Sequence, residues 1–322
     1  MRKRKLGFSG LEVSALCFGT DLIGSRIDVP TSFALLDQFH DAGGNFIDTG
    51  NFYASWLPGC CGGESESTIG KWMKDRGVRS QMVVATKLGF DYPGSPGGLS
   101  AAEIERECEM SLRRLETDHL DLYYAHRDDA GTPLAETMEA FDRLVRAGKV
   151  RAIGASNLKV WRIAEANAVS DAHGWTRYCA VEQRHTYLRP RHGADFGPQI
   201  CIHDDMKDFC RARAVALIAY SVLLQGAYSR EDRPVPAQYA GPEADDRLSA
   251  LKAVAAETGA SVSQVVIAWM LHSDPVILPI VAASQPAQLT ENLAALDVVL
   301  TPEQVQRLDT AGNPDVRQAW LR

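Results

Sequence analysis

The sequence predicts an α/β fold with a parallel sheet covered by helices, on three observations. Short apolar, β-rich runs alternate with longer amphipathic runs from end to end, which is the pattern of repeated βα units. Eight of the short runs read as strands, the number that closes an α/β barrel. The chain has 322 residues; that length would suit two average domains, but α/β barrels exceed about 250 residues as one. No linker, low-complexity stretch or internal repeat interrupts it, so a single domain over residues 1–322 is expected.

Two short strands around Gly7–Gly10 form an N-terminal hairpin. The eight strands follow at Leu16–Phe18, Asn45–Ile47, Met82–Ala85, Leu120–Tyr124, Val150–Ile153, Ala180–Glu182, Ala216–Ala219 and Val276–Leu278. Helical spacing fills the intervals at 31–42, 65–76, 101–115, 134–147, 158–169, 203–213, 244–258, 262–272 and 286–296. Ser100 with Glu103 three residues on resembles a capping box. Thr301-Pro302 opens a last helix with Pro in its first turn, a C-terminal extension to the repeating pattern. Gly, Pro and polar residues mark 91–99, 184–200 and 226–243 as loops.

Composition excludes several classes. Lys plus Arg total 34 and Asp plus Glu 41, a net charge of −7, which is wrong for a nucleic-acid surface. Hydrophobic residues at 45% and charged residues at 23% fit a folded globular chain rather than a disordered one. The basic run Arg2–Lys5 is followed by no apolar segment, so no signal peptide is expected. No stretch has the ~18 apolar residues of a membrane span. Seven scattered cysteines fit a reducing cytoplasm better than a disulfide framework. Cys60-Cys61 lacks CxxC spacing and a nearby His, and the eight histidines lack zinc spacing, so no metal is expected. His126-Arg127-Asp128 spells a kinase motif and Ser156–Lys159 a penicillin-binding one, but neither has its companion motifs. No GxGxxG fingerprint supports a Rossmann domain.

Polar, chemically capable residues follow the strand candidates directly: Asp48, Lys87, His126, Ser156-Asn157, Gln183 and Tyr220. In an α/β barrel the strand C-termini converge on one face, where sites are built. Here the chain resembles the aldo-keto reductase family over nearly its whole length. The resemblance rests on Gly43–Thr49 with Tyr53, Ala85-Thr86-Lys87, Asp121–His126, Gly148–Asn157, Ala219-Tyr220-Ser221 and Glu291-Asn292-Leu293. It implies a (β/α)8 barrel, a nicotinamide cofactor and a catalytic tetrad of Asp48, Tyr53, Lys87 and His126.

The tetrad has a physical rationale. Hydride addition to a carbonyl leaves an alkoxide that needs a proton, and a tyrosine with a pKa of about 10 is a poor acid at neutral pH. Correcting that takes roughly 3–4 kcal/mol, about what one ammonium at ~4 Å supplies at an effective dielectric near 20. Lys87 is thus expected to tune Tyr53, Asp48 to keep Lys87 charged, and His126 to hydrogen-bond the substrate oxygen.

The resemblance further implies that Ser156, Asn157 and Gln183 hold the carboxamide and that Tyr220 stacks on the nicotinamide. It sets Ser221, Leu223, Gln225 and Gly226 around the pyrophosphate and Gly19-Thr20 under a ribose. Ser284, Gln285, Gln288, Glu291 and Asn292 fall to the adenosine end. Similar proteins carry Arg or Lys near Ser284 or Gln285 to pair with a 2′-phosphate. None stands here, which tilts the expectation slightly towards NAD(H) over NADP(H), since charge-assisted contacts would be lost. Trp56, Asp21, Arg127 and His185 are expected to line the substrate pocket. With Asp128 and Asp129 beside Arg127, the small-molecule carbonyl or alcohol substrate is expected to be polar, such as a sugar. The competing class is a cofactor-sensing regulatory subunit resembling the potassium-channel β subunits. Tight cofactor retention without turnover distinguishes it from an enzyme.

Overall fold

The computed structural model describes residues 1–313. The end of the domain expected over 1–322, residues 314–322, lies outside the described residues. The chain opens with the expected hairpin, β1 (Lys3–Lys5) antiparallel to β2 (Glu12–Ser14). Eight parallel strands then close into a barrel: β3 (Cys17–Gly19), β4 (Phe46–Asp48), β5 (Val83–Leu88), β6 (Leu120–Ala125), β7 (Val150–Ser156), β8 (Tyr178–Arg184), β9 (Ala216–Tyr220) and β10 (Ile277–Val281). Each strand pairs with the next in chain order, and β10 returns to β3.

The outer layer is α1 (Val29–Asp41), α2 (Glu64–Arg76), α3 (Ala101–Arg114), α4 (Leu134–Arg146), α5 (Val160–His173), α6 (Asp204–Arg213), α7 (Pro242–Thr258), α8 (Val262–Leu271), α9 (Pro286–Ala294) and α10 (Pro302–Thr310). Caps explain several of the bounds. Ser100 accepts from Glu103 N, but the Glu103 carboxylate is turned to Ser95 and Arg106, so the box is half made. Complete boxes stand at Ser261/Gln264 and Thr301/Gln304. α5 starts later than its apolar spacing suggests because Asn157 at φ 58° breaks the chain after β7. It runs on to a left-handed Gly174 at φ 67°. No single helix among the described residues is long and apolar enough to cross a membrane.

Strand periodicity sorts the core. Cys17, Phe46, Val83, Ala85, Leu122, Tyr124, Ala152, Ala180, Ile218 and Leu278 fill the barrel. Their neighbours Phe18, Ile47, Val84, Tyr123, Ile153, Val181 and Leu217 pack under the helices. Gly154 leaves room for an interior ring: a Cβ there would collide with Tyr124 Cε1. The hairpin stops the end of the barrel where the strands begin. Leu6, Leu11 and Val13 join the interior cluster, and Gly7, at φ 55°, has no space for a Cβ beside Cys179 O. The same inward parity brings Asp48, Lys87, Ser156 and Glu182 to the opposite end of the interior.

Candidate active site

Lys87 is the centre of the site. It lies inside β5, not beyond it, and is fully buried. Its ammonium donates to Asp48 Oδ1, to Thr49 O at 2.9 Å and to Tyr53 Oη at 2.8 Å. Tyr53 Oη in turn donates to Asp48 Oδ2 at 3.2 Å. Burial works against the charge on Lys87, yet Asp48 and Glu182 offset it and hold the lysine above its ordinary pKa. A relay of hydroxyls fixes Asp48 from behind. Thr49 donates to Ser65, Ser65 meets Thr20 at 2.8 Å, and Thr20 donates to Asp48 O at 2.7 Å.

The Tyr53 phenol is held well above the usual tyrosine value. Loss of water is the main cause, with Asp48, Glu182 and Asp21 adding to it. The ammonium expected to tune Tyr53 therefore faces two buried carboxylates, Asp48 and Glu182. His126 is buried beside Tyr53, their ring centroids 5.9 Å apart. Burial, Lys87 and Arg127 push its pKa well below the ordinary value, so the imidazole is neutral at physiological pH and donates from only one nitrogen. Its Nδ1 is buried without a partner.

The mouth above these groups is aromatic. Phe52 stacks on Phe90 at 4.8 Å and meets Trp56 at 5.3 Å and His126 at 5.2 Å. Phe90 meets His126 edge-on at 4.9 Å. Trp56 stands half exposed at the rim, and Asp21 is exposed. The Arg127 guanidinium lies over Phe90 at 5.1 Å, 3.9 Å from Asp91.

Three sequence expectations about the pocket are corrected. Asp128 is paired with Arg162 at 3.0 Å. Asp129 accepts from Leu99 N, Gly131 N and Thr132; both carboxylates hold loops together instead of lining the pocket. His185 is turned into the helix layer and stacks on Trp269 of α8 at 5.7 Å. Burial pushes its pKa down to about 3, with Lys207 and Arg247 adding to the effect.

Ser156, Asn157, Gln183 and Tyr220 do come together. Asn157 Nδ2 donates to His126 O at 3.0 Å and Ser156 Oγ at 3.1 Å. Its Oδ1 accepts from Ile200 N at 3.2 Å and Tyr220 Oη at 2.6 Å. Its backbone N–H donates to Gln183 Oε1 at 2.8 Å. The Asn157 amide is saturated, so it ties β6, β7, β9 and the β8–α6 loop to one another. Ser156 keeps its hydroxyl proton, and Gln183, which gives one proton to Leu158 O, keeps a second. Thr20 gives its hydroxyl proton to Asp48 O and meets Ser65, so it positions Asp48.

Beyond β9 the backbone turns through left-handed Ser221, Leu224 and Gln225 and then Gly226. Leu223 packs against the core, and Ser221 Oγ accepts from Arg184 at 3.2 Å. Gly19 stands at the top of β3, where a Cβ would lie only 2.7 Å from Ile280 Cγ2. Ser284, Gln285, Gln288 and Glu291 are exposed at the start of α9. Ser284 donates from N and Oγ to Gln288 Oε1, Glu291 accepts from Ser261, and buried Asn292 donates to Ala282 O.

Sequence reasoning missed Glu182, Phe52 and Phe90. Glu182 had a signal, an acidic residue two positions after Ala180 on the inward face of a buried strand. The two phenylalanines sit on connecting segments and carry no periodicity.

An eight-stranded barrel with a Tyr–Lys–Asp–His cluster at its open end defines a class of oxidoreductase, and comparison with known proteins gives its family. Residues 15–313 match the family model described as "Aldo/keto reductase family". The chain is 32% identical to the norsolorinic acid reductase of Emericella nidulans, over 94% of this chain and 79% of that one. It is 33% identical to the aryl-alcohol dehydrogenase [NADP(+)] of Phanerodontia chrysosporium, over 93% and 83%. A crystal structure of a thermostable aldo-keto reductase bound to the inhibitor epalrestat superposes with a TM-score of 0.76 at 26% identity, covering 96% of this chain and 99% of that one. The chain belongs to the aldo-keto reductase family, whose members are NAD(P)-dependent oxidoreductases of small carbonyl compounds and alcohols.

Proposed function

We propose that this protein interconverts an aryl aldehyde or ketone and its alcohol, with Tyr53 as general acid and base. The observation that carries the reading is the Phe52–Phe90–Trp56 wall around Tyr53 and His126. Such a wall offers a planar ring stacking and edge contacts worth about 0.5–1.5 kcal/mol per pair beyond area burial. A sugar is the weaker reading, because Asp128 and Asp129 are spent on Arg162 and the 99–132 turns. A relative named as an aryl-alcohol dehydrogenase favours the same choice.

The residues fit a nicotinamide: the free protons of Ser156 and Gln183 suit a carboxamide oxygen. When bound, the cofactor supplies the hydride that goes to the carbonyl carbon. Neutral His126 donates a hydrogen bond to the carbonyl oxygen as charge grows on it. Tyr53 then gives its proton to that oxygen, and Lys87, already donating to the phenol oxygen, stabilises the phenolate left behind. In the alcohol-oxidising direction the same groups work in reverse. No Arg or Lys lies between Ala282 and Asn292, which favours NAD(H), although one relative is named for NADP(+).

Titration with NADH and NADPH, followed by Trp fluorescence, tests the cofactor reading. Micromolar binding of one is expected, and a tenfold or greater preference for NADPH refutes the choice of NAD(H). An aryl-aldehyde and sugar panel with the bound nucleotide tests the substrate class. Faster turnover of sugars refutes the aryl reading, and tight binding with no turnover of any carbonyl favours the sensor subunit. Tyr53→Phe is expected to abolish turnover while keeping nucleotide affinity.

A further inference from the structure

One ammonium in this site faces two buried carboxylates. Lys87 makes its close contacts to Asp48 and Tyr53, while Glu182 Oε1 stands off at 3.5 Å. Glu182 Oε2 is buried and has no partner. A fully ionised trio would bury a net negative charge, which is costly in a barrel interior. The group with the poorer contacts is the one that holds a proton, and that group is Glu182.

We propose that Glu182 is a positioning residue whose proton is linked to the charge of the nicotinamide. It is protonated in the free protein and with reduced cofactor, and it ionises when the oxidised, positively charged ring binds. The inference rests on the cofactor reading above. Burial and then Asp48 raise the Glu182 carboxyl well above the usual range, against the pull of Lys87. Gln183, the next residue, is one of those expected at the carboxamide, which brings the ring's charge close to the Glu182 end of β8.

The proton has a route. Tyr53 gives its hydroxyl proton to water at the mouth, Lys87 replaces it across 2.8 Å, and Glu182 reprotonates Lys87 across 3.5 Å. At the end only the Glu182 O–H bond has been broken and one proton has reached solvent. The other titratable groups around Glu182 are Cys17 on β3, Asp48 on β4, Tyr53 beyond β4, Lys87 on β5, Tyr124 on β6 and Tyr220 on β9. Cys17, Tyr124 and Tyr220 are all held above their ordinary values chiefly by burial, so they keep their protons at neutral pH.

The test is proton release in weakly buffered solution with a pH indicator, on adding the oxidised or the reduced form of whichever nucleotide, NAD or NADP, binds. The wild-type protein is expected to release up to one proton with the oxidised form and none with the reduced form. Glu182→Gln is expected to bind the oxidised form without release, whereas Tyr53→Phe, which interrupts only the hydroxyl step, reaches the same release at equilibrium. Binding without release by the wild-type protein, or undiminished release by Glu182→Gln, overturns the inference alone. Failure of both nucleotides to bind overturns the cofactor reading and this inference with it. If Glu182→Gln does not fold, the wild-type protein decides. The ratio of oxidised to reduced affinity should rise with pH by up to about tenfold per pH unit, and a flat ratio overturns the linkage.

Discussion

Lys87→Met removes one charge and keeps the length of the side chain. The ammonium lies 2.8 Å from the Tyr53 oxygen. At an effective dielectric near 20, a charge at that distance stabilises a phenolate by about 6 kcal/mol. Rearrangement of Asp48 and entry of water recover part of this; if half remains lost, ~3 kcal/mol, kcat falls about 10²-fold. The substitution also leaves Asp48 buried without its cation, and breaking such a pair costs about 3–5 kcal/mol of stability. Lys87 is held above its ordinary pKa despite burial, by Asp48 and Glu182. Its contribution to stability is therefore complete below the unfolded lysine value of about 10.5 and is lost as pH rises through the higher folded value. The assay is aryl-aldehyde reduction followed by nucleotide absorbance, well below the melting temperature of the variant. A folded Lys87→Met protein with kcat within threefold of wild type refutes the role given to the ammonium. Lys87→Met combined with Asp48→Asn should recover melting temperature but not turnover. Joint recovery would mean that Lys87 is only a structural counter-ion.

Phe52→Ala should lower kcat/KM for aryl aldehydes by about three- to tenfold, the worth of one aromatic pair, and leave small aliphatic aldehydes nearly unchanged; equal losses for both would count against an aryl wall. Asn157→Ala removes four side-chain hydrogen bonds and puts Ala at φ 58°, so a loss of about 2–4 kcal/mol is expected in urea unfolding. His185→Gln should flatten the acid limb of stability. The wild-type imidazole stays neutral when folded, with a pKa pushed down to about 3 by burial, while the unfolded one protonates below about 6.5. Stability is thus lost as pH falls from about 6.5, by about 2 kcal/mol at pH 5. An unchanged pH dependence in the variant would show that His185 is not the group responsible.

Much of this was written in the order of the residues. Alternation of apolar runs marked all eight strands, and parity along a buried strand carried Asp48, Lys87 and Ser156 to one end of the barrel. Asp48, Lys87 and His126 stood out as polar residues at strand ends, whereas Tyr53 and the tetrad as a set came from the family resemblance. What parity does not encode is which way a loop side chain turns. Asp128 and Asp129 read as pocket groups by position, but Arg162 and the Leu99 amide claim them. His185 follows Gln183 by two residues, yet it has left the strand and packs on Trp269. Thr20 gives its hydroxyl proton to Asp48 O, and the Asn157 amide is filled by partners from distant segments. Such partners are set by tertiary contacts, which no local spacing records. Glu182 was legible in position but not in importance, because an acid on a strand draws notice only once the ammonium beneath it is known.

The filled barrel interior, covered by the hairpin, gives the site a single doorway. With Leu6, Leu11 and Val13 sealing the far end, nothing that reaches Tyr53 can leave by passing through. Two ligands that react there must arrive and depart on the same side, so the one lying deeper is trapped while the other stays. An ordered exchange is the expected consequence, with Trp56, half exposed at the rim, at the entrance.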